Sequence, residues 1–325
     1  MRAFVTGATG FIGGKLAESL RARGDEVVAL VRTPAKAAGL ESSGCATVEG
    51  DLSNEGAIRR AAEGCDAVFH VAARYEIGVR ERDRQAFWDA NVRGTERVLR
   101  AAEEAGATRI VYVSTAATFG DTRGKEVDET YRRDEGDGFL SIYDATKYRA
   151  HQLAEKHAAN NAPVLIAMPG AVYGPNDPSQ LGSFINLYLS GKLKLMTFPD
   201  AGFNFVHVDD VVNGLLAVHA PGRVGHSYAL GGQNSTNGEL IRILGRLTGR
   251  KVPRRTMPPA LMKMAIPMGP LVGKLMNQGP NLRELIRVVD GITVWFSDEK
   301  ARRELGYASR DLETGLRQTL GASAA

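Results

Sequence analysis

Tyr143 and Lys147, four residues apart in Tyr143-Asp144-Ala145-Thr146-Lys147, are the pair best able to do chemistry in this 325-residue chain. On a helix, positions i and i+4 share one face. A lysine ammonium beside a phenol favours the phenolate and is expected to lower the tyrosine pKa from about 10. A tyrosine so tuned can donate and accept a proton near neutral pH. Upstream, the run Arg109 to Val113 reads as a strand that ends in two hydroxyls, Ser114 and Thr115. Neighbours on a strand point to opposite faces, so only one of the two can face Tyr143. Taken alone, a tyrosine and a lysine at this spacing are common on solvated helices, so the elements around them decide their meaning.

The first element is a glycine turn. Gly7-Ala8-Thr9-Gly10-Phe11-Ile12-Gly13 follows the apolar run Ala3-Phe4-Val5 and opens a segment whose Phe11, Ile12, Leu16 and Leu20 fall at helical spacing. Strand, glycine turn and helix together form the setting in which a backbone can approach a pyrophosphate at a helix N-terminus. A dinucleotide is therefore expected against Gly7, Thr9, Gly10, Phe11, Ile12 and Gly13. The second strand, 26–31, ends in Arg32 with Lys36 nearby, and no acidic residue stands there to hold a ribose 2′-hydroxyl. A guanidinium can clamp a 2′-phosphate, so NADP(H) is expected, with NAD(H) as the alternative.

Further strands are expected at 2–6, 45–48, 66–71, 109–113 and 163–168, and helices near 11–23, 54–63, 84–105 and 142–160. Repeated strand–helix units imply an α/β, Rossmann-type doubly wound parallel sheet over residues 1–173. Beyond 174 the rhythm breaks at Pro175, Pro178 and Pro199. A smaller, mostly helical substrate lobe is expected over 174–325, with helices at 208–219 and 235–248, a short strand at 227–230, and some return of elements to the main sheet.

Gly50-Asp51-Leu52, His70-Val71-Ala72-Ala73, Asn91-Val92-Arg93-Gly94-Thr95, Pro169-Gly170-Ala171-Val172-Tyr173-Gly174-Pro175 and Val206-His207-Val208-Asp209-Asp210 follow in order. With the two motifs above, the chain resembles an extended short-chain dehydrogenase/reductase over nearly its whole length. It is similar to the dihydroflavonol-reductase-like and nucleotide-sugar-epimerase-like branches. The resemblance implies that Asp51 and Leu52 meet adenine, and that Val71, Ala72 and Ala73 let the cofactor approach. It implies that Pro169 and Val172 border the nicotinamide end, and that Lys147 holds the cofactor ribose. Asn91 resembles the family asparagine that braces backbone beside the active site. The pattern Ser-x-x-x-[aromatic]-Gly, aligned with Thr115 to Gly120, gives Thr115 the catalytic hydroxyl, with threonine in place of the usual serine.

Substrate class is read from absences. Nucleotide-sugar members carry an arginine for the diphosphate where this chain has Phe203, and the later Arg-x-Gly-Asp run is missing; Arg223 and Arg283 are candidate replacements. Phe203, Phe205, Tyr173 and the methionine-rich stretch 257–276 suggest a partly apolar pocket. The expected activity is NADP(H)-dependent reduction of a small ketone or aldehyde, with a sugar epimerase holding NAD as the rival. A third reading, an idle NADP-binding regulator, is opposed by the intact Tyr143 and Lys147.

Charge excludes little but helps. Basic and acidic side chains number 41 and 37, for a net +4, and the basic ones form no aromatic-interleaved stripe, so nucleic acid is not expected. No apolar stretch reaches the ~18 residues of a membrane span. Cys45 and Cys65 read as buried thiols, and no cluster has metal-ligand spacing. Met1 leads straight into a core strand, so a cytoplasmic chain without a leader is expected. Pairing of 84–105 with 142–160 in a homodimer is what the resemblance implies.

Overall fold

The computed structural model describes residues 1–269 and 279–322. Seven parallel strands form the main sheet, in the order β10-β7-β5-β4-β1-β2-β3. They are β1 (Arg2–Thr6), β2 (Glu26–Val31), β3 (Ala46–Glu49), β4 (Ala67–His70), β5 (Arg109–Val113), β7 (Val164–Pro169) and β10 (Ser227–Leu230). The order reverses between β1 and β4, and in such sheets ligands bind beyond the strand ends at the reversal.

Side-chain alternation explains the two layers of helices. On β1, Phe4 joins one core while Ala3 and Val5 join the other; on β5, Ile110 and Tyr112 part in the same way from Val111 and Val113. The first core is closed by Ile58, Leu99, Ala150 and Ala154, from the helices Glu55–Ala62, Gly94–Glu104 and Ile142–Ala159. The second is closed by Leu16 and Leu20 of Phe11–Ala22 and by Val211 and Leu215 of Val208–His219. Strands buried on both faces are near-continuous apolar runs, which is why they were legible in the sequence.

The expected helix over 84–105 is interrupted. Helical turns at Arg84–Phe87 and Gly94–Glu104 flank a wide, π-type segment, Trp88–Arg93. The wide turn contains Asn91, which is buried. Such segments insert one residue into the helical register and often mark functional positions.

Beyond residue 174 the chain is more mixed than its helices alone suggest. Val208–His219 and β10 do return to the main sheet. Helices Gln180–Leu189, Asn237–Thr248, Pro259–Met264 and Leu282–Arg287 belong to the lobe. A second sheet joins them, in the order β11-β9-β12-β6 with β8 beside β9. Its strands are β6 (Glu126–Val127), β8 (Ala171–Tyr173), β9 (Gly202–His207), β11 (Gln233–Thr236) and β12 (Thr293–Phe296). These strands are short and their partners far apart in the chain, so no local periodicity announces them. Cys45 and Cys65 are buried and free. Among the described residues, no helix is long and apolar enough to cross a membrane and no cluster suits a metal ion.

Candidate active site

A cavity of about 1310 Å³ opens along the C-terminal ends of the main-sheet strands. One arm is walled by Gly7, Thr9, Gly10, Phe11, Ile12, Arg32, Asp51, Leu52 and Val71 to Ala73. The middle holds Ser114, Thr115, Tyr143, Lys147, Pro169 and Val172. Of the residues expected to line the site, Gly13 and Lys36 do not. Gly13 serves packing: a Cβ there would lie 2.2 Å from Gly7 O. Lys36 stands exposed in the turn Pro34–Lys36, away from the cavity wall.

The first arm fits a dinucleotide on its own chemistry. Gly7 has φ +77°, and a Cβ there would fall 2.8 Å from Ala72 N, so only glycine lets these two strand ends come this close. Gly10 caps Phe11–Ala22 without a side-chain bond, and no acidic residue occupies the first turn. The helix N–H groups and its dipole are thus free to meet an anion. Asp51 accepts from Ser53 N (2.8 Å) and Ser53 Oγ (2.6 Å), bonds that hold its carboxyl below the usual range, with Arg32 adding to the effect. The cap of the next helix is Asn54, whose Oδ1 accepts from Ala57 N.

Between the arms lie Tyr143 and Lys147, the candidate catalytic pair. Ser141 Oγ accepts from Asp144 N at 3.0 Å and starts the helix Ile142–Ala159. Asp144 is itself buried against Arg133, at 2.7 Å, and accepts from Leu140 N, fixing the turn that delivers Tyr143. The hydroxyl ambiguity resolves by direction. Thr115 lies close enough to the Tyr143 phenol to favour its ionised form, whereas Ser114 Oγ faces His151 Nδ1 at 2.9 Å. Tyr75 packs edge-on against Tyr143 with ring centroids 4.8 Å apart.

The expected lowering of the Tyr143 pKa is corrected by the geometry. Burial pushes the phenol up to about 12, against the opposing influence of nearby Thr115. Lys147 Nζ is engaged elsewhere, donating to Tyr112 OH at 2.9 Å and Val113 O at 2.8 Å. Burial in turn pulls the Lys147 ammonium down to about 7. In a dry pocket, desolvation outweighs the attraction of two groups that share a helical face.

Of the residues around the pair, Asn91 had a role implied by the resemblance, whereas Glu284 carried no sequence signal. Asn91 Oδ1 accepts from Arg74 N (2.7 Å), and its Nδ2 donates to Arg74 O and Thr146 Oγ1 (both 3.0 Å). It braces the loop that carries Tyr75, as the resemblance implied. Glu284, on the lobe helix Leu282–Arg287, accepts from Val79 N (3.0 Å) and Ile142 N (2.7 Å). One carboxylate therefore ties that loop and the start of the helix Ile142–Ala159 to the lobe. His70 is enclosed, with Nδ1 2.7 Å from Thr6 Oγ1 and Nε2 2.9 Å from Thr95 Oγ1. Burial pushes its pKa down to about 3, so it stays neutral.

The far arm of the cavity is largely apolar, lined by Ile77, Phe184, Phe198, Phe203, Phe205, Leu285 and Val289. Two expectations change here. Tyr173 is buried elsewhere, its hydroxyl donating to Leu312 O. Among the described residues of the methionine-rich stretch, none lines the cavity. Met262 packs against the outside of the wall, while Met264 and Met268 are exposed; Met276 lies outside the described residues. The wall itself comes from Leu282–Arg287 and the residues after it, because that helix is the layer between the stretch and the cavity. Arg223 pairs with Glu304 at 2.7 Å, and neither it nor Arg283 reaches the cavity. The lining cations among the described residues are Arg32, Arg74 and Lys147.

The buried lysine has a measurable signature. Between pH 7 and about 10.5 the unfolded chain binds a proton at Lys147 that the folded chain does not. Lys147 therefore makes unfolding free energy rise with pH across that window. Denaturant unfolding of the cofactor-free protein and of Lys147→Met, followed across pH 7–10, should show a steeper rise in the parent. Parallel curves would contradict the burial of a titrating ammonium.

Comparison with known proteins agrees with this geometry. Residues 3–231 match the model of the NAD dependent epimerase/dehydratase family. The chain is 32% identical over 271 residues to sterol demethylase protein B of Methylococcus capsulatus, covering 81% of this chain and 79% of that one. It is 32% identical over 323 residues to a 4-hydroxy-2-methyl-3-oxo-4-farnesyl-3,4-dihydroquinoline-1-oxide ketoreductase of Stigmatella aurantiaca, covering 95% and 92%. The crystal structure of gox2253 superposes with a TM-score of 0.82 at 31% identity, covering 98% of this chain and 96% of that one. The chain belongs to the NAD dependent epimerase/dehydratase family of extended short-chain dehydrogenases/reductases, and is an NAD(P)-dependent enzyme of oxidoreductase type.

Proposed function

We propose that this enzyme interconverts a partly apolar ketone or aldehyde and its alcohol with NADP(H). The observation that carries the reading is the cavity's division. A dinucleotide arm and an apolar arm meet at Tyr143 and Thr115, and among the described residues Arg74 is the one lining cation besides Arg32 and Lys147, too few to hold a diphosphate in the apolar arm as well. The nicotinamide cofactor supplies or takes the hydride when bound. Tyr143 gives a proton to the carbonyl oxygen in reduction and takes it back in oxidation. Thr115, beside that phenol on the cavity wall, orients the same oxygen. Lys147 holds the ribose. The ketoreductase name of the Stigmatella relative supports a carbonyl substrate.

Arg32 is the basis for the phosphorylated cofactor. It lines the dinucleotide arm and is exposed, β2 itself ends without an acidic residue, and Asp51 across the arm feels its charge. Fluorescence titration should show tighter binding of NADPH than NADH. Arg32→Asp should narrow or reverse that order, because a carboxylate repels the phosphate and can bond a free hydroxyl. Equal affinities in the parent protein would remove the case for NADP(H).

The proton-transfer role is tested by Tyr143→Phe. A panel of aromatic and aliphatic aldehydes and ketones, assayed by NADPH oxidation, should give turnover with at least one member. In Tyr143→Phe that turnover should drop by roughly a hundredfold or more, with NADPH affinity near the parent value. A variant as active as the parent would exclude Tyr143 as the general acid.

Two phosphate charges taken from water need paired donors, and the apolar arm presents Phe203 instead. Calorimetry with UDP- and GDP-sugars should therefore show no binding. Micromolar binding of any of them would replace the reductase reading with an epimerase.

A further inference from the structure

From Leu240 to Met268 the sequence has no Asp or Glu, against seven Lys and Arg. Arg242 and Arg246 are answered by Glu239, and Lys263 by Asp290. Arg250, Lys251, Arg254 and Arg255 are exposed and make no ion pair among the described residues. Lys192 and Lys194 are exposed and unpaired in the same sense. The two segments run side by side. Met196 N donates to Arg255 O at 2.9 Å, Met257 N donates to Met196 O at 2.8 Å, and Tyr188 OH donates to Arg250 O at 3.0 Å. The lobe thus carries six cations on neighbouring backbone with no carboxylate of its own against them.

The basic segment runs directly into an apolar face. Leu261, Met264 and Met268 follow at spacings of three and four, which keeps them on one side of the helical turns. They are 57%, 77% and 54% exposed, more than any other large hydrophobic side chain among the described residues. Pro258, Pro259, Ala260 and Pro267 beside them are exposed as well. The opposite side of the same turns is occupied: Met262, Ala265 and Ile266 pack on a cluster that includes Phe198, Leu282, Leu285 and Ile286. Phe198 and Leu285 also line the apolar arm of the cavity. The exposed face therefore lies just outside the wall of that arm.

We propose that this surface docks on an anionic lipid bilayer, with Leu261, Met264 and Met268 inserted at the headgroup boundary and the neighbouring cations over the lipid phosphates. Contiguous exposed apolar side chains mark an interaction site. Flanking cations suit a membrane surface, where apolar burial and attraction to anionic headgroups act together. Charge also selects lipid over a second copy of this chain. Two copies joined by a twofold axis would bring the same face together and set cation against cation. A seat on the surface needs no spanning helix. Docking turns the wall of the apolar arm toward the bilayer, where an apolar carbonyl compound collects. The inference stands on this surface alone and goes beyond the reductase reading, whose assays need no lipid.

The test is co-sedimentation of the full chain with vesicles. One set holds phosphatidylcholine and phosphatidylglycerol in equal parts, the other phosphatidylcholine alone. Partition onto the anionic set should exceed that onto the neutral set by roughly tenfold or more and should fall as salt is added. The triple variant Leu261→Ser/Met264→Ser/Met268→Ser should lower it by about tenfold or more, and so, separately, should Arg254→Glu/Arg255→Glu. Arg59→Glu/Arg60→Glu, an exposed pair on the helix Glu55–Ala62, should leave it unchanged. All the altered side chains are exposed, so circular dichroism and melting of each variant should match the parent. No partition, equal partition onto both sets, or partition that neither lobe variant lowers would overturn the proposal. A dimer that the serine variant dissociates, in a chain that ignores vesicles, would overturn it in favour of a second copy. Polyglutamate binding that survives the serine variant, again without vesicle binding, would overturn it in favour of an acidic protein.

Discussion

A buried ammonium cannot be left unbonded, and much of the site follows from that constraint. Lys147 is 2% exposed at the C-terminal end of β5, inside the main sheet. Taking its charge from water is costly unless other groups replace the hydration. Tyr112 OH and Val113 O do so, and both belong to β5 or its end. The helix Ile142–Ala159 must therefore lie close against β5. Ala150 and Ala154 permit this by presenting small side chains to the sheet. The Ser114–His151 contact closes the same seam one turn further on. Tyr143 is placed as a consequence: it precedes Lys147 by one turn, so a helix pinned through the lysine presents the phenol at the junction of the two cavity arms.

The second dependence runs through a carboxylate. Glu284 lies in the lobe, yet both its oxygens accept from backbone N–H groups of the main domain, at Val79 and Ile142. A hydrogen bond to a charged group is stronger than a neutral one, and losing it would strand two buried donors. The lobe thus closes over the strand ends with the Tyr75 loop and the helix Ile142–Ala159 attached to it. Asn91 secures the other end of that loop from within the wide helical turn. The apolar arm owes its shape to this closure, since Leu285 and Val289 reach the cavity only because their helix is held there.

Local signals made much of the main domain legible. β1, β2 and β5 occupy the expected residues, because strands buried on both faces are apolar runs between charged or turn residues. Gly7 marks a positive φ and a close approach that other residues disfavour. Tyr143 and Lys147 were found by spacing. What spacing misjudged was their electrostatics. The i, i+4 relation places two side chains on one face but says nothing of the solvent around them, and here burial governs both groups.

By itself, then, the sequence determined the parallel sheet, the glycine turn, the absence of an acid after β2 and the identity of the proton-bearing tyrosine candidate. Each is set by neighbours in the chain or by a regular period. Only the tertiary structure decided that Thr115 rather than Ser114 meets Tyr143. It alone brought Glu284 to the helix Ile142–Ala159, and it gave the apolar wall to Leu285 and Val289 rather than to the methionines. These contacts join residues tens to hundreds of positions apart. Which of them form depends on how two cores and a second sheet pack together, and no local pattern of residues encodes that.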